Sequence, residues 1–183
     1  MIVHVGGAQG AGKTTVLQRA AVLSKSKVCV VSVGARLRKL AKGRYGVKMH
    51  LLDEERKAIL REDIYGCISS MEGYDVVLMD NHYVEISGCI DKSLMPEEFE
   101  RRIDIFILIV SSEYEIRKRR MADGARKRTV DIGAIRREAL AEREKALAIA
   151  DRCHKILHVV INDNPERSAE EINDIISAYG KER

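Results

Sequence analysis

The stretch VHVGGAQGAGKTT, Val3 to Thr15, restricts the chain more than any other. A short apolar run leads into a glycine-rich turn, and a helical pattern opens directly behind it. Gly7, Gly12, Lys13 and Thr14 satisfy G-x-x-x-x-G-K-[ST], the phosphate-binding loop. In such a loop, Gly7, Ala8, Gln9, Gly10, Ala11 and Gly12 curl the backbone so that successive N–H groups face phosphate oxygens. Lys13 brings positive charge to the outer phosphates, Thr14 offers its hydroxyl to Mg²⁺, and Thr15 beside it is expected to bind the nucleotide as well. The helix adds the positive end of its dipole. The open question is the fate of the phosphate: transfer to a small molecule, hydrolysis that drives a conformational change, or simple retention.

A parallel sheet covered on both faces reads as near-continuous Val/Ile/Leu runs. Five such runs occur, Ile2–Val5, Val28–Val33, Tyr74–Met79, Ile103–Val110 and Ile156–Ile161. Helical patterns lie between them: Gly12–Ser24, Ala35–Lys42, Asp53–Met71, a helix after Ser112 running to about Met121, and a long one with an apolar stripe of Ile132, Ile135, Ala139, Ala146 and Ile149. Ser112 with Glu115, and Ser168 with Glu171, have capping-box spacing, the second ahead of a last helix ending near Tyr179. The alternation predicts an α/β doubly wound fold with a five-stranded parallel sheet in the order 2-3-1-4-5. Lys42–His50 and Asn81–Arg102 fit the alternation poorly, although Pro96-Glu97-Glu98 opens a short helix in the second.

The chain has 183 residues, which predicts one domain across 1–183. No apolar run approaches the roughly 18 residues of a membrane span. No basic n-region or small-residue cleavage site precedes the loop, so a cytoplasmic location is expected. Cys29, Cys67, Cys89 and Cys153 are scattered, with no CxxC pair, and read as free thiols rather than a zinc site. The net charge of +4 suits a nucleotide or a nucleic-acid partner.

The run YDVVLMD ends in Asp80, where a P-loop protein needs an acidic residue for the metal shell; the alternative is a cap on the next turn. Asn81 and His82 follow. His82 has three readings there: a phosphate or ribose contact, a group that positions water, or packing within the loop. The segment IRKRRMADGARKRTVD is basic and interrupted by Gly124. A solvated face and an RNA patch are the simpler readings. A loop at about 121–131 that closes over the phosphates explains more, because arginines stabilise the transferring group while closure excludes water. Basic and aromatic residues do not interleave as an RNA surface would require.

Taken together, these motifs resemble P-loop nucleoside monophosphate kinases, most closely the archaeal-type adenylate kinases, over nearly the whole length. VVLMDNH is similar to that group's Asp-Thr-His, with Asn81 in place of Thr, and RRMADGARKR resembles its short arginine lid. SVGARLR resembles the Ser-Thr-Gly-Asp-x-Leu-Arg of adenylate kinases, which implies an acceptor site including Ser32 and Arg38, within a helical insertion at about 32–73. DEERKAI is similar to a segment whose arginine faces the acceptor, which points to Arg56. The resemblance implies that Arg119 or Arg120 lies against the donor and that Arg126 and Arg128 clamp the transferring group. It implies ATP and Mg²⁺ as cofactors, with Thr14 and Asp80 at the metal and His82 at the substrate. The implied reaction is ATP + AMP = 2 ADP, with CMP or another small molecule as a different acceptor. Val33 and Ala35 depart from the acceptor motif, and the Asp-Gly-x-Pro-Arg that usually follows the third strand is absent. Adenylate-kinase-like ATPases of ribosome maturation carry Asp-x-His at the same place, so a ribonucleoprotein partner is the alternative. Self-association is an expectation from the same resemblance.

Overall fold

The computed structural model describes residues 1–84, 94–124 and 128–180. Five strands form one parallel sheet: β1 (Ile2–Gly6), β2 (Val28–Ser32), β3 (Val76–Asp80), β4 (Ile105–Val110) and β5 (Leu157–Ile161), in the order β2-β3-β1-β4-β5. This is the order expected from the sequence. β3, β4 and β5 begin one or two residues later than the apolar runs, since Tyr74, Ile103 and Ile156 precede the ladder.

The side-chain period of two splits each strand between two cores. Ile105, Ile107 and Ile109 of β4 face α1 (Lys13–Leu23) and α7 (Pro165–Gly180), where Leu17, Ala20 and Ile172 are fully buried. Phe106 and Leu108 face the opposite way, into a layer with α3 (Glu54–Ser69) and α6 (Ile132–Arg152). Each fully buried Ile or Leu contributes roughly 1.5–3 kcal/mol, so both faces of β4 anchor the sheet.

The first connection, between β1 and β2, carries α1 alone, while the one between β2 and β3 is long. There α2 (Val33–Tyr45), a single 3₁₀ turn (Met49–Leu51) and α3 intervene. α2 begins two residues earlier than expected and absorbs part of the irregular Lys42–His50. Asp53 caps α3 by accepting the Arg56 N–H at 2.8 Å. α4 (Glu97–Glu100) is the expected short helix, with Pro96 in the cap position. α5 (Glu113–Ala122) starts as its spacing suggested, with the Ser112 hydroxyl accepting the Glu115 N–H at 3.3 Å. The Ser168–Glu171 spacing is not a cap. Asn164 Oδ1 accepts the N–H groups of Glu166 and Arg167, and Pro165 occupies the first turn, so α7 starts ahead of Ser168. Ser168 is fully buried and donates to the carbonyls of Ile161 and Asn164. Proline's fixed φ and absent N–H suit that first position.

One buried group makes stability depend on pH. His4, in β1, is fully buried, with neither ring nitrogen hydrogen-bonded. Its ring packs edge-on to Tyr83, centroids 4.3 Å apart. Burial, reinforced by the positive charges of His82 and Lys13, lowers its pKa from 6.5 to about 3. The unfolded chain therefore takes up a proton near 6.5 that the folded chain refuses. Stability is complete above that pH and declines as pH falls towards about 3. Burial also lowers the pKa of His158, which adds in the same direction. Denaturant titrations should show a loss of about 2 kcal/mol between about pH 7 and about pH 5, mostly removed by His4→Leu. An unchanged slope in that variant would place the titration elsewhere.

Among the described residues, no helix is long and apolar enough to cross a membrane. Cys29, Cys67 and Cys153 are free thiols; Cys89 lies outside the described residues.

Candidate functional site

Parallel strands bring their carboxyl ends to one edge, and ligands of such sheets bind beyond it. Here the loop after β1, the residues after β3, Ser111 after β4 and Asn162 after β5 meet there. The glycine pattern has a steric reason at Gly12, the cap of α1. Its φ is +92°, and a Cβ would lie 2.3 Å from Asn162 Nδ2, which donates to the Ala11 carbonyl at 2.7 Å.

Lys13 lies inside this turn. Its Nζ donates to the carbonyls of Gly7 (2.5 Å) and Ala8 (3.3 Å), and only 7% of the residue is exposed. Burial pushes the ammonium's pKa down, while the carboxylates of Glu142, Asp80 and Glu138 push it back up. Lys13 is thus a cation ringed by acids, held beside the loop N–H groups. Thr14 donates its hydroxyl to Asp80 Oδ2 at 2.6 Å. Asp80 ends β3, in register with Val5 and with Ser32, so the sheet ladder itself fixes this pair.

Beyond Asp80 the chain is tightly held. Asn81 donates from Nδ2 to the Tyr65 hydroxyl at 3.3 Å, tying the strand end to α3. Tyr83 is fully buried and donates to the Ile107 carbonyl at 3.0 Å. Its ring crosses Gly6, where a Cβ would lie 2.1 Å away. His82 stands between these anchors, its side chain 30% exposed and its Nδ1 2.7 Å from Glu142 Oε1.

The arginines fall into distinct groups. Arg119 reaches under the loop and donates to the Ala11 carbonyl and the Ser111 hydroxyl, both at 3.0 Å. Arg120 is a brace rather than an open cation: it is 4% exposed and pairs with Glu138 at 2.5 Å. The two grip one residue of the loop from both sides. Arg120 donates to the Gln9 carbonyl at 2.7 and 2.9 Å, while Glu138 accepts the Gln9 N–H at 2.5 Å. Arg128 pairs with Asp123 at 3.2 Å, and its charge is felt at Lys13. Arg126 lies outside the described residues. Ser32 is half-buried at the end of β2. Arg38 is exposed on α2, with its guanidinium close to Gly34. Arg56, on α3, sits 3.6 Å from Asp53 and over the Tyr45 ring at 5.5 Å. The loop, Thr14, Asp80, His82, Arg119 and Arg120 form one cluster, whereas Arg38 and Arg56 stand on the insertion helices.

Glu138 and Glu142 are the site residues the sequence reading missed. Both are buried and both accept N–H groups of the loop: Gln9 to Glu138, and Gly7 to Glu142 at 3.2 Å. A signal was present. The buried positions of α6 include Ile135, Glu138, Glu142, Ala146 and Ile149, a helical spacing of three and four. Two acids in line with an apolar stripe mark buried, partnered carboxylates.

Residues 6–136 match the model of a protein family described as an AAA domain, more than half of the chain. The chain belongs to that family. No curated protein matches it. Among solved structures it is similar to TT1252 from Thermus thermophilus, at 18% identity and a TM-score of 0.52, covering 98% of this chain and 97% of that one. It is also similar to shikimate kinase from Acinetobacter baumannii, solved with shikimate, at 16% identity and a TM-score of 0.54, covering 97% and 93%. A sugar kinase from Janibacter sp. HTCC2649 gives 16% identity and a TM-score of 0.58, covering 96% and 94%. At these identities the likeness is one of fold, an α/β P-loop arrangement shared with the two kinases. The archaeal adenylate-kinase type is not singled out by these matches.

Proposed function

We propose that the protein transfers the γ-phosphoryl group of ATP to a small acceptor, with AMP as the acceptor to test first. The observation that carries this is the Thr14–Asp80 contact at 2.6 Å beside the enclosed Lys13. A hydroxyl and a carboxylate at the mouth of a phosphate loop make an all-oxygen donor set, which fits Mg²⁺. Bound there, Mg²⁺ would neutralise charge on the β- and γ-phosphates. The chain's own share is positioning. The loop N–H groups and the α1 N-terminus orient the phosphates, and Lys13 and Arg128 bring positive charge towards the transferring group. Arg38 and Arg56, on the helices between β2 and β3, are the proposed contacts to the acceptor's phosphate.

A second reading, hydrolysis coupled to a ribonucleoprotein partner, draws on the half-open ring of His82 at the same edge, suited to holding a water. The test is incubation with Mg·ATP alone and with AMP, CMP, UMP, GMP or dephospho-coenzyme A, resolving products by ion exchange. Two ADP formed per AMP consumed, with little free phosphate, is the expected result. Phosphate released at one rate whatever the acceptor supports hydrolysis instead.

A further inference from the structure

The two outer strands of the sheet differ in how they meet solvent. β2, at one end, has no exposed residue. β5, at the other, pairs with β4 alone, and its side chains alternate: Val160 is fully buried, whereas Val159 is 46% and Ile161 65% exposed. Free edges are usually protected by lysine, proline or a bulge that discourages pairing with another chain. The run ILHVVI, Ile156 to Ile161, has no proline, no acid and no lysine or arginine, and its register with β4 is unbroken. One bond fixes which backbone groups face outwards. The Asn162 N–H donates to the Val110 carbonyl at 2.8 Å, so the N–H and C=O groups of His158 and Val160 also turn towards β4. Those of Leu157, Val159 and Ile161 turn away from it, where no strand lies among the described residues. The same three side chains share one face of the sheet, the one on which Leu157 packs with Ala146 and Ile149 of α6.

We propose that the β5 edge is the docking surface for a second copy of this chain, the two β5 strands pairing antiparallel about a twofold axis at Val159. An identical strand fits this edge in three respects. In that register Val159 faces the partner's Val159 and Leu157 faces the partner's Ile161, so every outward N–H and C=O of the strand meets a partner. The side chains of these residues then form one apolar cross-strand cluster, which covers the exposed Val159 and Ile161. The register also sets Lys155 opposite the partner's Asp163, at both ends of the pairing. Asp163 is exposed, and Lys155, which donates to the Ile103 carbonyl, has further N–H groups to offer it. Each chain has one such bare edge, so pairing consumes it and association stops at two.

Sedimentation equilibrium and backbone amide exchange together test this. The wild type should form a dimer with a Kd on the order of 1 µM. In the dimer the amides of Leu157, Val159 and Ile161 should exchange slowly and speed up on dilution. Those of His158 and Val160, bonded to β4, should stay slow at every concentration. Val159→Lys brings two cations together at the axis and should weaken association by at least about 100-fold. Continued protection of His158 and Val160 in that variant shows that the strand is still in its sheet. Asp163→Lys, which sets a cation against Lys155, should weaken association about tenfold. Should Val159→Lys fail to fold, Asp163→Lys and the wild-type exchange pattern decide the matter. A wild type still monomeric at about 100 µM would overturn the proposal. So would a dimer whose outward amides exchange freely, assemblies larger than two, or a folded Val159→Lys or Asp163→Lys protein that associates like the wild type.

Discussion

Replacing Lys13 with alanine should lower turnover by roughly 10³-fold, within the range seen when a transition-state donor is removed from an enclosed site. Two effects act together. The variant loses the cation that meets the outer phosphates. It also removes the positive charge that faces Glu142, Asp80 and Glu138, so the acids at this edge repel an anionic ligand more strongly. Because Lys13 is enclosed, with two carbonyls of its own loop as partners, a surface lysine elsewhere has no route to replace it. Steady-state kinetics at saturating Mg·ATP give the measurement, with the Thr14–Asp80 pair, the proposed metal site, left intact. Turnover within a few-fold of wild type would remove Lys13 from the mechanism.

Breaking the Arg120–Glu138 pair should be the costliest single change to stability. In Glu138→Ala the Arg120 guanidinium, 4% exposed, loses its counter-charge, and the Gln9 N–H loses its acceptor. Removing one partner of a buried pair costs about 3–5 kcal/mol, because the other charge stays buried. For a chain of this length each kcal/mol lowers Tm by about 2–4 °C, so a fall of roughly 10 °C is expected. Calorimetry with and without Mg·ATP checks this. The loss should be smaller in the double variant Arg120→Met, Glu138→Leu, which removes both charges. A Glu138→Ala protein that melts with the wild type would mean that the pair does not brace the loop.

What the sequence revealed follows from how local each signal is. The P-loop is contiguous, and its glycines, Lys13 and Thr14 each have a task set by neighbours in the chain. β1, β3 and β4 were legible because both of their faces are buried, so almost every residue is apolar; β2 and β5 keep an apolar run although they are partly exposed at the sheet edges. The boundaries of α2 and α7 were less so. Asn164 followed by Pro165 sets the start of α7, and the capping-box spacing at Ser168 and Glu171 is coincidental. Residues brought together across the sheet left a weaker trace. In the run Arg117–Arg120 the chemistry is repetitive and only the helical phase differs. Arg120 is one turn beyond Ile116, and both are buried, so phase rather than charge identifies the brace. Glu138 and Glu142 carry the same kind of signal within α6. Asn81, where the resembling kinases carry Thr, has its reason in Tyr65 of α3, which no local pattern reveals.

The central claim is that this loop breaks the β–γ bond of ATP and delivers the γ-phosphoryl group to an oxygen. A single-turnover experiment with protein in excess over γ-labelled ATP and Mg²⁺, with and without AMP, tests it most directly. The account predicts that label leaves ATP in the wild type, appears in the acceptor when one is present, and stays on ATP in Lys13→Ala. Label that remains on ATP in the wild type under every condition, or cleavage between the α- and β-phosphates, would contradict it.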